Sequence, residues 1–177
     1  MLAGGEPLAA YRFRGYWKDV GTIDSLWDAN MDMLAPGGSI NLYDPAWPIY
    51  ARPPIQAPHL TGPNAVISHS VVTGGGRVFG TVENSVLFHS VIVEPGAEVR
   101  YSILMPGAVV RSGAKVEYAI LAENANILEN ARVGAPPDGS NPDWGVAVVA
   151  GGVTVGRNAS VRPHAMIRDD VKEGEEA

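Results

Sequence analysis

The sequence predicts a mainly β chain: a parallel β-helix from about residue 61 to the end, preceded by a short strand-helix arm. Three observations carry this. Related stretches recur at a fixed step, led by Val82, Val99 and Val116, seventeen residues apart, with an earlier copy at Ile67, fifteen before Val82. Between them lie hexads of the form aliphatic-x-x-Gly/Asn-Ala, such as Val93–Ala97, Val110–Ala114, Ile127–Ala131 and Val155–Ala159. The composition has 21 Gly and 14 Pro but only 7% aromatics. That suits many short strands and turns rather than a helical bundle.

Residues 1–35 form the arm. Tyr11, Phe13 and Tyr16 alternate with Arg12 and Arg14 or sit close to them, which predicts a short strand. A helix follows the turn Gly15–Thr22. Thr22 is an N-cap residue and Asp24 sits in the first turn, where a carboxylate is favoured. Ile23, Leu26, Trp27, Met31 and Leu34 lie at helical spacing on one apolar stripe. Pro36-Gly37-Gly38 is expected to end it. Residues 36–60 form a connector. Pro45, Pro48, Pro53, Pro54 and Pro58 disfavour regular structure there, so the chain is expected to run extended between two bodies.

Residues 61–177 form the coil domain. Each hexad supplies one face of a three-sided coil of about 18 residues. Its aliphatic residue points inward and stacks on the next coil. The small residue four places later also points inward, and Gly or Asn before it tolerates the backbone angles of the corner. Periodicity leaves the handedness open. Residues 134–150 break the repeat, mostly as a loop ejected from one corner, and the coil resumes near Val146. The acidic end, Val171 to Ala177, is expected to fray.

Length, charge and cysteine content narrow the function. The chain has 177 residues and a formal net charge of −6. A nucleic-acid binder would concentrate Lys and Arg on one face, so none is expected as a partner. With no cysteine there is neither a disulfide scaffold nor a Cys-ligated zinc site. No apolar run approaches the roughly 20 residues of a membrane span, and the N-terminus lacks the pattern of a signal peptide. A cytoplasmic protein without a membrane partner is expected.

Four motifs invite a functional reading. Thr73-Gly74-Gly75-Gly76-Arg77 is glycine-rich, but a strand-like segment follows it, not a helix, so a turn is expected. His69 and His89 each precede Ser-Val in a similar phase and could lie on related faces. A zinc site would need a third ligand converging with them, and surface or corner positions are the simpler reading. Arg100, Arg111 and Arg132 punctuate successive coils, either as solvated outward positions or as an anion-binding surface. Finally, Trp17 and Asp19 flank Lys18 in the turn before the helix. Either Trp17 packs under the helix and Asp19 helps cap it, or Asp19 is a carboxylate held for a hard cation such as Mg²⁺. Mg²⁺ takes one or two carboxylates and completes its shell with phosphates and water.

Gly15-Tyr-Trp-Lys-Asp-Val-Gly-Thr-Ile-Asp-Ser-Leu-Trp-Asp-Ala-Asn-Met-Asp-Met-Leu34 resembles the end of the catalytic domain of bacterial glucose-1-phosphate adenylyltransferases, the ADP-glucose pyrophosphorylases. The similarity continues through Tyr43-Asp-Pro-Ala-Trp-Pro-Ile-Tyr-Ala-Arg52, Ser85-Val-Leu, Met105-Pro-Gly-Ala and Asp143-Trp-Gly-Val-Ala-Val-Val149. The hexapeptide families wind left-handed, so the resemblance implies a left-handed coil. It also implies the conversion of ATP and α-glucose 1-phosphate to ADP-glucose and pyrophosphate, in glycogen biosynthesis. Asp19 aligns with the family's Mg²⁺-binding aspartate, and Trp17 with a tryptophan beside the glucose 1-phosphate pocket.

In that family the β-helix builds a homotetramer and helps form an allosteric site for sugar-phosphate or nucleotide effectors. The Gly-rich nucleotide loop, the basic substrate residues and the other metal carboxylate belong to an N-terminal Rossmann-like domain. Those parts have no counterpart here, so the 177 residues alone are expected to be inactive. The retained Trp-x-Asp-Val-Gly-Thr pattern favours the catalytic subunit type over its non-catalytic paralogue. The competing readings are a mannose-1-phosphate guanylyltransferase, a stand-alone assembly or effector-binding module, and a hexapeptide acyltransferase. The connector Trp47-Pro48-Ile49-Tyr50 speaks against the first.

Overall fold

From Leu60 onward the chain advances in strands of two or three residues, and strands one coil apart pair in parallel. A computed structural model describes residues 4–5, 7, 9–35, 41–42, 44–49, 54–140 and 142–177. Three six-stranded sheets enclose one core. Sheet A comprises Leu60–Thr61, Arg77–Val78, Ile92–Val93, Val109–Val110, Asn126–Ile127 and Thr154–Val155. Sheet B comprises Val66–Ser68, Thr81–Glu83, Glu98–Arg100, Lys115–Glu117, Arg132–Val133 and Ser160–Val161. Sheet C comprises Val71–Val72, Val86–Leu87, Ile103–Leu104, Ala119–Leu121, Ala147–Val149 and Met166–Ile167.

The repeat read from the sequence is the register of sheet B. Ile67, Val82, Val99, Val116, Val133 and Val161 are successive partners in one column. The four from Val82 to Val133 are fully buried. Each contributes about 1.5–3 kcal/mol by leaving water. The hexad pairs behave as expected: Val93 with Ala97, Val110 with Ala114, Ile127 with Ala131 and Val155 with Ala159 are all inside. The corner residues before these alanines, Gly96, Gly113, Asn130 and Asn158, have φ of 78, 74, 60 and 56°. Only Gly adopts that region freely, and Asn tolerates it better than most residues.

The corner between sheets B and C is built differently. Asn84, Tyr101 and Tyr118 hold left-handed φ values of 47, 47 and 49°. A serine ladder serves the backbone beside them: the Ser70 Oγ accepts from the Ser85 N–H, the Ser85 Oγ from the Ser102 N–H, and the Ser102 Oγ from the Ala119 N–H. Each hydroxyl donates in turn to a carbonyl two residues back. Buried backbone donors thereby find partners where the ladder between strands is interrupted.

The ejected loop lies where expected. Val133 and Val161 pair although 28 residues apart, and the Trp144 Nε1–H closes the loop on the Ala135 carbonyl at 2.8 Å. The acidic end does not fray. Val171 bridges Val155, Glu176 bridges Ser160, and the Arg162 N–H donates to the Ala177 carbonyl. The last strands of sheets A and B would otherwise present unpaired edges, and the tail supplies their next partner.

The arm differs from expectation in one part. Residues 11–16 are not a strand: among the described residues no neighbouring strand shares a hydrogen-bond ladder with them, and Tyr11 and Phe13 stand exposed. The helix forms as expected. Helix α1 spans Ile23–Asp32, capped by a reciprocal pair in which the Thr22 side chain accepts from the Ser25 N–H and the Ser25 hydroxyl accepts from the Thr22 N–H. Pro36-Gly37-Gly38 lies outside the described residues. Ile23, Leu26, Trp27 and Met31 pack on Ile103, Ile120 and Val146, on the outer face of sheet C. The described connector residues carry no regular structure, and Trp47, Ile49 and Ile55 are exposed.

Candidate functional site

Along Tyr16–Asp19, ahead of α1, exposure alternates: Tyr16 and Lys18 are half-buried, and Trp17 and Asp19 are exposed. The Tyr16 hydroxyl and the Lys18 ammonium both donate to Asp32 Oδ2, at 3.0 and 2.7 Å. Lys18 also lies 3.7 Å from Asp28. Tyr16 and Lys18 are thus turned to the helix, while Trp17 and Asp19 are exposed to solvent. Trp17 is 76% exposed and does not pack under the helix. Nor does Asp19 cap the helix. Its Oδ1 accepts from the Gly21 N–H at 3.1 Å, which fixes the turn, while Thr22 does the capping.

The charges of this clamp reinforce one another. The hydrogen bond from Lys18, and then that from Tyr16, hold the Asp32 carboxyl below the usual carboxylate range. The same bond raises Lys18. Partial burial, and next the neighbouring Asp32, raises the Tyr16 phenol.

Asp19 suits one ligand position of a hard cation. One oxygen is committed to Gly21, and the other has no protein partner among the described residues. Among the described residues no three His, Asp or Glu side chains gather to hold a metal ion. Asp19 therefore fits Mg²⁺ only as one carboxylate in a site completed by groups from outside these residues, and Mg²⁺ commonly binds in that way.

Beneath α1 stands an aromatic column that sequence reasoning missed. Tyr101 and Tyr118 stack with ring centroids 4.7 Å apart, which is the spacing of adjacent coils. Trp27 from the helix lies 5.8 Å from Tyr118, and Trp144 from the loop meets it edge-on at 5.4 Å. The Trp27 Nε1–H donates to the Tyr101 carbonyl at 2.7 Å. The signal was present: the two tyrosines are seventeen residues apart, in the same phase of the repeat.

The remaining candidates separate. His69 and His89 do not share a face. His69 turns the corner between sheets B and C, its Nδ1 2.6 Å from Asn84 Oδ1, while His89 follows Val86–Leu87 at the corner leading to sheet A. Both occupy corners, the simpler of the two readings; their similar phase does not put them on one face, because corners of different faces can carry similar tripeptides. Thr73-Gly74-Gly75-Gly76 is a turn leading into a strand, with Gly75 at φ 74°. Arg100 and Arg111 point outward but are engaged. Arg100 bonds Glu83 at 2.9 Å and Glu98 at 2.8 Å, and Arg111 bonds Glu94 at 2.7 Å. Arg132 is exposed beside Lys115. An anion-binding row of all three would first have to break two of these ion-pair sets.

Two families match the chain. The one described as "GlmU-like, C-terminal hexapeptide" matches residues 56–155, and "Nucleotidyl transferase" matches residues 1–35. A hexapeptide-repeat family fits the left-handed winding expected for the coil. Among curated proteins, the chain is similar to the glucose-1-phosphate adenylyltransferase of Acetivibrio thermocellus. The two are 37% identical over 176 residues, which covers 93% of this chain and 41% of that protein. The namesake from Clostridium novyi is 52% identical over 93 residues, covering 52% of this chain and 24% of that protein. That from Clostridium perfringens (strain SM101) is 50% identical over 100 residues, covering 56% and 26%. The chain thus spans less than half the length of these relatives.

Proposed function

Because the chain belongs to the GlmU-like, C-terminal hexapeptide family, we propose that it is the C-terminal portion of a glucose-1-phosphate adenylyltransferase. The observation that carries this is a single alignment through arm and coil together, 37% identical across 93% of the chain, to a protein of that name. Coil hexads recur in unrelated enzymes; the turn Gly15–Thr22 joined to this coil is more specific. The same alignment favours this reading over a guanylyltransferase, an acyltransferase or a stand-alone module.

In this reading ATP and glucose 1-phosphate react to give ADP-glucose and pyrophosphate. Mg²⁺, when bound, offsets charge on the phosphates. Asp19 supplies one of its carboxylates, and Trp17 lines the glucose 1-phosphate pocket. The exposure of both side chains supports the assignment. The β-helix serves assembly, as a homotetramer, and the response to sugar-phosphate or nucleotide effectors. The nucleotide-binding parts come from outside these 177 residues, and the chain alone does not turn over.

A hybrid enzyme tests this. Residues 1–177 replace the matching C-terminal part of the A. thermocellus protein, and pyrophosphate release from ATP is followed with and without glucose 1-phosphate. The expected result is glucose 1-phosphate-dependent turnover that Asp19→Asn lowers on the order of 100-fold. A soluble, cooperatively folding hybrid without turnover, or ADP-glucose synthesis by the 177-residue chain alone, would sink the proposal.

A further inference from the structure

We infer that Asp32 is a positioning residue: through Tyr16 and Lys18 it sets the direction in which Trp17 and Asp19 face. This deepens the adenylyltransferase reading and rests on it for the meaning of Trp17 and Asp19, though not for the clamp itself.

Two acids of α1, Asp28 and Asp32, are placed against their own helix. Asp32 ends α1, where the helix dipole disfavours a carboxylate, and the last turn has no basic residue. Asp28 lies one turn earlier on the same face, and like charges four residues apart repel. Both costs are offset by one group from outside the helix. The Lys18 ammonium reaches 2.7 Å from Asp32 and 3.7 Å from Asp28, bringing a cation to the helix end. Tyr16 adds a second donor to the same Asp32 oxygen. An arrangement unfavourable for the helix alone is thus favourable for helix and turn together.

The geometry then propagates. Asp32 is itself held, because α1 is fixed to sheet C by Ile23, Leu26, Trp27 and Met31 and by the Trp27–Tyr101 hydrogen bond. Residues 16 and 18 are pinned to that fixed point, and the side chains of residues 17 and 19 are left in solvent. Gly21 then locks the Asp19 carboxylate by its N–H. A rigid body, the coil, is thus linked through Asp32 to the turn that carries two exposed side chains, Trp17 and Asp19. Asp32 acts only through Tyr16 and Lys18, so it is not a catalytic residue.

The test compares Asp32→Asn, Asp32→Glu and Asp28→Asn in the 177-residue chain and in the hybrid enzyme. In the chain, amide hydrogen exchange is read for residues 15–22 and, separately, for sheets A, B and C. Asp32→Asn should speed exchange in 15–22 by about tenfold and leave the sheets unchanged. In the hybrid it should lower kcat about tenfold or more and raise the Mg²⁺ concentration needed for half-maximal rate. Asp32→Glu should recover part of both effects, and Asp28→Asn should do little. Unchanged exchange in 15–22, or an equal rise throughout the sheets, overturns the inference. So does an Asp32→Asn hybrid with the parent's kcat and Mg²⁺ dependence. If the parent hybrid is inactive while exchange responds as expected, the adenylyltransferase reading fails and the clamp stands.

Discussion

Ser102 shows what one hydroxyl does in this fold. It is fully buried, donates to the Arg100 carbonyl at 2.7 Å and accepts from the Ala119 N–H at 3.2 Å. One coil later Ala119 has no hydroxyl, and the Ala147 N–H turns instead to the Tyr118 carbonyl at 3.1 Å. The ladder can therefore end only where the backbone supplies another acceptor. Ser102→Ala removes the acceptor without supplying one, so it should cost about 1–3 kcal/mol in urea denaturation. An unchanged midpoint would mean that Ala119 finds a new partner. The tyrosines at the same corner carry a different cost. Tyr101 and Tyr118 hold a left-handed backbone that bulky side chains avoid. The stacked column offsets this, since such pairs contribute about 0.5–1.5 kcal/mol each beyond buried area.

At the level of elements, α1 and the coil depend on each other unequally. The coil closes its own core through Val82, Val99, Val116 and Val133 and makes nearly all its hydrogen bonds internally. Helix α1 has ten residues, too short to persist alone in water, and owes its stability to docking. Ile120 lies at the centre of that dock and is 2% exposed. Ile120→Asp would place an unpaired carboxylate under Leu26 and Trp27, a strongly unfavourable burial. The expected outcome is loss of exchange protection across 23–32 with the three sheets still protected. Loss of both together would show that the outer layer is part of the folding unit.

For the whole molecule, the carboxylates decide how stability varies with pH. Glu98 is held below its ordinary range by the Lys115 hydrogen bond, less a partial burial penalty. Burial pushes Glu94 up, but Arg111 and the Ser112 N–H outweigh it and bring it down. Glu129 is lowered by a backbone hydrogen bond and then by Arg157, and Asp32 by Lys18. Each folded value lies below the unfolded value of about 4. As pH falls, the unfolded chain therefore takes up protons first. The stabilisation is present above the unfolded value and is lost as pH falls through the folded ones. Thermal melts should show a Tm that these groups leave nearly independent of pH between about 5.5 and 7, and a falling Tm below about pH 4. A Tm that held steady to pH 3 would show that these pairs add nothing. Being partly exposed, they should also weaken at high salt. Among the described residues no helix is long and apolar enough to cross a membrane.

The coil, its step, its inward columns and the capped helix are legible in the residues alone. These are local or strictly periodic features: Val82, Val99 and Val116 announce their column by spacing, and Thr22 caps through the residues that follow it. The ejected loop was legible for the same reason, as a break in a period. Only the tertiary structure decided what depends on partners distant in the chain. Residues 11–16 have the alternation of a strand but no neighbour to pair with among the described residues, and the acidic tail gained one in the preceding coil. His69 and His89 share a tripeptide phase yet turn different corners. Nothing in the spacing marks out Asp32, which acquires its role only where the fold brings Tyr16 and Lys18 to it. The direction of Trp17 and Asp19 follows from that encounter. Spacing along a chain fixes which side of an element a residue occupies, whereas its function depends on what stands opposite, and that is set by packing.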